Sequence, residues 1–315
     1  MARSALPNFF FVGAPKSGST SLYFALDQHP EIYLSPIKEP CFFASEIQPN
    51  QFSEEFLSRV ESDLSSLRTY LDGPMTEKRF SGLVLQEADY LQLFKNVRNE
   101  KAIGEASVCY LWSPTAAQNI RRRIPEAKII MILRNPADRA FSQYLHAVSN
   151  QLLNITFGEA IEVGLHQRHS KFGPLYPFLE FGLYHDQLKR YLETFPRECI
   201  KVFLYEDYAS RPLLIFKEIC QFLGVDPSFT PNFSHRYLQP QIPRFPKIQT
   251  RLRNSDFLRR LIPPSVRAPI RSFFLTKRNR MTMQASDRQR LVSYYSSDVK
   301  KLMSLLGMDL TAWLR

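Results

Sequence analysis

A chain of 315 residues, 44% of them hydrophobic, can bury a sizeable core, which excludes an intrinsically disordered protein. Its formal net charge of +11 asks for an anionic partner. Four widely spaced cysteines with no CxxC pair exclude a disulfide framework and a structural zinc site.

No apolar run is long enough to span a bilayer, and the chain enters its first strand without a signal-peptide segment, so the expected location is the cytoplasm. The charge is unevenly placed. Between Arg236 and Arg280 twelve basic residues face one acid, Asp256, so this block carries the net charge and the rest of the chain is near neutral.

In chain order, "FFFV" at Phe9 to Val12 reads as a buried strand that enters the small-residue loop "GAPKSGSTS". A helix is expected from Ser19 or Thr20 to about Gln28, then a short strand at Ile32 to Leu34. From Ala44 to Asn99 the pattern is helical, with Ser53 as a candidate N-cap of "SEEFLSRV" and no recognisable chemistry. "KAIGEAS" is a strand running into a loop, and "AKIIMILR" is the clearest strand in the chain. Pro136 falls in the first turn of a helix reaching about Val148, where its missing N–H costs little. An amphipathic helix at "GLYHDQLKRYLETF", a strand at "CIKVFLYEDY" and a helix stopped by Gly224 follow. The last helix is expected from about Ser286 to Leu306.

Strands alternating with helices predict an α/β fold with a central parallel sheet flanked by helices on both faces. One domain, 1–315, is expected, with a variable insertion at about 44–99 and a basic, Pro-interrupted segment at about 234–280. Ligands of such sheets sit beyond the carboxyl ends of the strands. That rule gathers three loops: Gly13 to Thr20, Gly104 to Ser107 and Arg134 to Asp138.

The first loop is a phosphate loop with its cation displaced. In GxxxxGK[ST] the lysine follows the second glycine; here Gly13 and Gly18 keep the spacing, Ser19 stands in the lysine's place and Lys16 lies inside the loop. Backbone N–H groups from Ser17 to Thr20, the Ser19 and Thr20 hydroxyls and a helix dipole worth about half a positive charge suit one phosphate. Triphosphate hydrolysis is hard to run without the missing lysine. Arg134 ends a strand and Ser142 lies eight residues on, a pair that can converge on a second phosphate, for which arginine offers a bidentate fork.

With these residues the chain resembles the sulfotransferases that use 3′-phosphoadenosine 5′-phosphosulfate (PAPS). "PKSGSTS" resembles their 5′-phosphosulfate loop and "RNPADRAFSQY" their 3′-phosphate motif. The similarity continues through "KEPCFF", "GEAS", "GLYHDQLKRYLETFPRECIKVFLYEDY" and "LVSYYSSDVKKLMSLLGMDLTAWL", and is weakest at 44–99 and 234–269. The heparan-sulfate-type enzymes and their bacterial relatives are the subgroup it most resembles.

The resemblance implies a three-layer P-loop-like fold and transfer of a sulfuryl group to an acceptor hydroxyl, of a carbohydrate, glycolipid or other small metabolite. It implies that Lys16 faces the bridging oxygen, that Ser17, Gly18, Ser19 and Thr20 hold the 5′-phosphate, and that Arg134 and Ser142 hold the 3′-phosphate. One of Lys277, Arg278 and Arg280, in a basic loop before the last helix, would also touch the nucleotide. No metal is required by this arrangement. Glu39, in the matching Lys-Glu-x-x-Phe-Phe segment, is implied as the base; its ordinary alternative is an ion pair with Lys38.

Two positions depart from the subgroup: Cys41 stands where histidine is frequent, and Ala106 where some members have lysine. Glu105 and Ser107 are candidate lining residues, with a buried serine bonded to its own loop as the alternative. His166 and His169 share a helical spacing but lack a third ligand. His146 faces either the cleft or solvent, and His29 belongs to a turn before Pro30. The basic segment suggests peripheral contact with an anionic membrane or an acidic glycan, against the plainer reading of helices packing inward; no nucleic acid is expected. Rival readings are a P-loop nucleotide kinase and a non-catalytic nucleotide- or nucleic-acid-binding module.

Overall fold

The computed structural model describes residues 5–80, 82–166, 171–233, 242–243, 275–276 and 281–315. In chain order they form β1 (Phe9–Gly13), α1 (Ser19–Asp27), β2 (Ile32–Leu34), β3 (Ile37–Lys38), α2 (Glu54–Asp72), β4 (Arg79–Phe80), α3 (Glu87–Gln92), β5 (Ala102–Ala106) and α4 (Ala116–Arg123). Then come β6 (Lys128–Leu133), α5 (Pro136–Ser149), α6 (Phe157–His166), α7 (Tyr184–Thr194), β7 (Ile200–Leu204), α8 (Tyr205–Ser210), α9 (Pro212–Leu223), β8 (Ile242–Pro243), β9 (Leu275–Thr276) and α10 (Ala285–Leu306).

Five parallel strands form the central sheet in the order β2-β5-β1-β6-β7. β1 is buried along its whole length, which an apolar run without alternation requires of a strand covered on both faces. Alternate side chains feed the two cores. Phe9, Phe11, Ile130 and Ile132 meet α1 and α9 through Leu22, Leu26, Phe216 and Ile219. Phe10, Val12, Ile129 and Met131 meet α4, α5, α7 and α10 through Ile120, Ala140, Leu188 and Val299. Each of the larger side chains contributes about 1.5–3 kcal/mol by leaving water. Gly104 is needed where β5 passes β1, because a Cβ there would lie 2.0 Å from the Phe9 ring.

The earliest strand is thus central; the chain goes first to the edge strand β2, returns to β5 beside β1, and only then crosses to β6 and β7 on the other side. The crevice at this reversal, beyond the carboxyl end of β1, is where a ligand of such a sheet binds. The register between β1 and β6 slips after Phe11, and the Ala14 N–H donates to the Ile132 carbonyl at 2.8 Å, turning the chain out of the sheet toward α1. The last helix braces this end of the molecule: Arg288 pairs with Asp138 of α5, and Asp298 accepts the N–H groups of Tyr184 (2.8 Å) and His185 (3.2 Å) at the start of α7.

One expectation needs correction, one is met in position only, and one feature went unread. The strand "CIKVFLYEDY" stops at Leu204, whose pairing with Leu133 is the last rung of the sheet, and Tyr205 opens a short helix with Glu206 and Asp207 in its first turn, where acids favour a helix start. Ser53 occupies the N-cap position of α2, but its hydroxyl caps nothing; its carbonyl takes the Phe56 and Leu57 N–H groups instead. The small parallel ribbon β3–β4, pairing Ile37 with Arg79 and Lys38 with Phe80, was not read from the sequence at all. Among the described residues no helix is long and apolar enough to cross a membrane.

Candidate active site

The loop after β1 is shaped by backbone conformation before any side chain acts. Gly18, at φ 84°, is the N-cap of α1, a left-handed position that glycine adopts without steric penalty. Lys16 takes φ 64° without that freedom, at a cost of about 1–2 kcal/mol. Gly18 brings no side chain to cap the first N–H groups of α1. Beside it Ser17 is fully buried, and its Oγ has no hydrogen-bond partner. A buried hydroxyl left unpaired costs about 1–3 kcal/mol. An anionic oxygen at this helix end would satisfy both the hydroxyl and the N–H groups.

Arg134, at the end of β6, donates from Nη1 to the Lys16 carbonyl at 2.9 Å, and its guanidinium lies 4.5 Å from the centre of the Tyr205 ring. Its own carbonyl accepts from the Tyr184 hydroxyl at 3.0 Å. Asn135 caps α5, accepting from the N–H groups of Ala137 (3.0 Å) and Asp138 (3.3 Å). Ser142 lies half-buried in the second turn of α5. The phosphate loop and Arg134 thus follow adjacent central strands and are tied by one hydrogen bond. Lys277, Arg278, Arg280 and His169 lie outside the described residues.

Lys16 and His146 each feel the charge of Glu39, and His146 also that of Lys16. Burial pulls the Lys16 pKa down to about 8, with Glu39 opposing and Arg134, Lys38 and Arg139 adding to the fall. For His146 the protein walls around the ring come first and the Lys16 ammonium second, lowering its pKa to about 4 against the pull of Glu39. The imidazole is therefore neutral near pH 7 although it remains open to solvent. Its place on α5, one turn after Ser142 and on the same face, was the signal in the sequence.

Glu39 is carried on a loop that holds two left-handed non-glycine residues, Glu39 at φ 70° and Cys41 at φ 57°. Its N–H donates to the Ala106 carbonyl at 2.8 Å, and its Oε1 accepts from Nζ of the buried Lys38 at 2.7 Å. The ion pair and the cleft position thus coexist. Cys41 touches Cys109, Sγ to Sγ 3.1 Å.

Glu105 and Ser107 do not line the cleft: both are fully buried beneath this loop. Ser107 donates to Glu105 Oε1 at 2.7 Å and accepts the Cys41 N–H at 3.1 Å, while the Tyr90 hydroxyl donates to Glu105 Oε2 at 2.6 Å. Desolvation pushes the Glu105 pKa up to about 7 against the hydrogen bonds from Ser107, Tyr90 and Tyr110. The network supports the Glu39 loop from behind. His29, as expected, is a turn residue, its Nε2 2.8 Å from the Asp226 carbonyl.

A cavity of about 330 Å³ opens beside Glu39. One wall is α2, and the other is Trp112 with residues of the 172–181 stretch. The insertion at 44–99 therefore does take part in the site. Its contribution is shape, which carries no motif.

The sulfotransferase family profile matches residues 7–231. A crystallised sulfotransferase from Alicyclobacillus acidocaldarius is 32% identical with a TM-score of 0.71, covering 99% of this chain and all of that one. Carbohydrate sulfotransferase 15 of Mus musculus is 28% identical over 254 residues, 70% of this chain and 44% of its own length. Bifunctional heparan sulfate N-deacetylase/N-sulfotransferase 3 of Homo sapiens is 26% identical over 324 residues, 98% of this chain and 31% of its own length. The chain spans less than half the length of these two curated relatives. A phosphate loop lacking the triphosphatase lysine, on a sheet shared almost end to end with a solved sulfotransferase, agrees with the profile: the chain belongs to the sulfotransferase family.

Proposed function

We propose that this protein transfers a sulfuryl group from PAPS to the hydroxyl of a carbohydrate, glycolipid or other small metabolite, leaving 3′-phosphoadenosine 5′-phosphate (PAP). The reading rests on one observation above the others: the helix N-terminus after β1 stands beside a buried Ser17 hydroxyl that has no partner, in a loop whose Lys16 carbonyl is held by Arg134 at 2.9 Å and whose Lys16 ammonium feels the charge of Glu39. Ser17 to Thr20 would hold the 5′-phosphate, and Arg134 with Ser142 the 3′-phosphate. The acceptor oxygen attacks sulfur in line, the bridging sulfur–oxygen bond breaks, and Glu39 takes the acceptor proton. The Lys16 ammonium meets the negative charge left on the departing phosphate. His146, neutral at working pH, would orient the acceptor hydroxyl as a hydrogen-bond acceptor.

The name of the carbohydrate sulfotransferase relative supports a carbohydrate-type acceptor, and that of the N-sulfotransferase relative matches the lesser alternative of an amine acceptor. The cytoplasm is the compartment we propose. Contact of the basic 234–280 segment with an anionic membrane or acidic glycan is a separate proposal, which sedimentation with anionic vesicles at low salt tests.

A transfer assay with radiolabelled PAPS against a fractionated cell extract tests the whole reading. Label should move to an extract component only in the presence of the chain. Indifference to PAP together with turnover of magnesium ATP would replace it with the nucleotide-kinase reading.

A further inference from the structure

We propose that the acceptor is a neutral alcohol carried on a hydrophobic body, and that an anionic polysaccharide is not the substrate; this rests on the sulfotransferase reading above. The cavity beside Glu39 is where the attacking hydroxyl must lie, so its lining selects what carries that hydroxyl. Its walls are aromatic. Trp112 stands edge-on to Phe172 and Phe181, with both ring centres 5.9 Å away, and Phe52 packs against Phe172 at 5.3 Å. Phe56 adds a fifth ring from α2.

These walls are fastened by backbone. The Phe172 N–H donates to the Gln51 carbonyl at 2.7 Å, and the Ser53 N–H returns to the Phe172 carbonyl at 3.0 Å. The entry to α2 and the 172–181 stretch are thus pinned to one another, so the aromatic cavity is preformed. A volume of about 330 Å³ lies at the small end of ligand cavities and suits a compact body.

Charge decides between occupants. Among the described residues the ionisable side chains of the lining are Glu39, Arg59 and Asp63, besides the Cys41 and Cys109 thiols. Arg59 is matched by Asp63 one turn later on α2, and its guanidinium sits 5.9 Å from the Phe56 ring. Lys38 Nζ lies 2.7 Å from Glu39 Oε1, so with Arg59 set against Asp63 the described lining carries no surplus charge of either sign. A polymer of uronic acids or sulfated sugars brings negative charge at every repeat and would meet no surplus cation among the described lining residues, whereas a neutral alcohol needs none. Apolar walls with a single polar catalytic group favour a hydrophobic body whose one hydroxyl points at Glu39.

The test uses fluorescence, since the chain has only two tryptophans, Trp112 in the cavity and Trp313 in the last turn of the structure. The full chain, saturated with PAP, is titrated with 8-bromooctanol, whose bromine quenches a neighbouring indole. A saturable quench is expected, lost in Trp112→Phe and unmoved by excess chondroitin or N-acetylheparosan. In the matching assay with labelled PAPS, the neutral alcohol should accept sulfate and the polysaccharides should not. Absence of a saturable quench, displacement by polysaccharide, or transfer to polysaccharide alone overturns the inference while PAP still binds. A chain that fails to bind PAP overturns the sulfotransferase reading instead, so the two failures are told apart by the first calorimetric titration.

Discussion

The two sides of the cleft are built by different means. On the donor side, function comes from short contiguous stretches: a strand end, a loop whose backbone takes left-handed turns at Lys16 and Gly18, and a helix N-terminus. On the acceptor side, function comes from rings distant in sequence, Phe56 on α2, Trp112 after β5 and Phe172 before α7, that meet only when the chain is folded. The difference teaches that charge placed at sheet and helix ends can be read locally, whereas an apolar cavity cannot. One side recognises a constant group and the other a variable one.

The strongest way to break the comparison is to remove its meeting point. Glu39→Gln should lower turnover by about 10²–10⁴-fold and leave PAP affinity nearly unchanged by calorimetry, because the amide cannot take the acceptor proton. Retained turnover would place the base elsewhere, with His146 next in line.

Arg134→Ala should weaken PAP by roughly tenfold to a hundredfold, the size of a lost charged hydrogen bond, and adenosine 5′-phosphosulfate much less. Equal losses for the two would show that Arg134 acts through its bond to the Lys16 carbonyl and not on the 3′-phosphate.

A smaller effect separates Lys16 from its neighbours. With its pKa near 8 in the free protein, Lys16 is ammonium below that pH, and an anionic ligand should raise the value. Binding of PAP should then take up a proton between about pH 8 and 10, and affinity should fall by up to about tenfold per pH unit above 8. Titrations in buffers of different ionisation enthalpy would report that proton, and Lys16→Arg should remove the slope.

The smallest effect lies behind the acceptor wall. The pKa of Glu105 is higher folded, about 7, than unfolded, so its contribution to stability is complete below about pH 4.5 and is lost as pH rises through 7. Thermal melts of Glu105→Gln should gain on the parent across that window, and parallel curves would show that Glu105 does not titrate there.

Much of the donor side was legible in the sequence because its chemistry needs particular residues at particular spacings. Gly13, Lys16, Gly18 and Arg134 announce an anion site before any fold is known. Glu39 was legible only through a resembling segment, since one carboxylate in a loop carries no spacing of its own. Glu105 and Ser107 do not line the cleft, and Ser107 follows the alternative reading, a buried serine bonded to its own loop; a sequence cannot say which face of a strand end looks into the protein. The carboxyl end of β7 was read one element too long because Tyr205 suits a strand as well as a helix start. His146 was noticed but not assigned: it lies on α5, Lys16 in the loop after β1, and only the fold brings the two within reach of each other's charge.

The β3–β4 ribbon bears on how such enzymes could be re-engineered. Lys38, which holds the Glu39 carboxylate, lies in the two-residue strand whose other half is Arg79–Phe80, beyond the far end of α2. A chimera exchanging the acceptor wall at the visible helix boundaries would import a foreign companion strand, or none, for the segment bearing the base. Swaps that retain their own 37–80 stretch intact should keep catalytic rate while changing selectivity; cuts inside it should forfeit both.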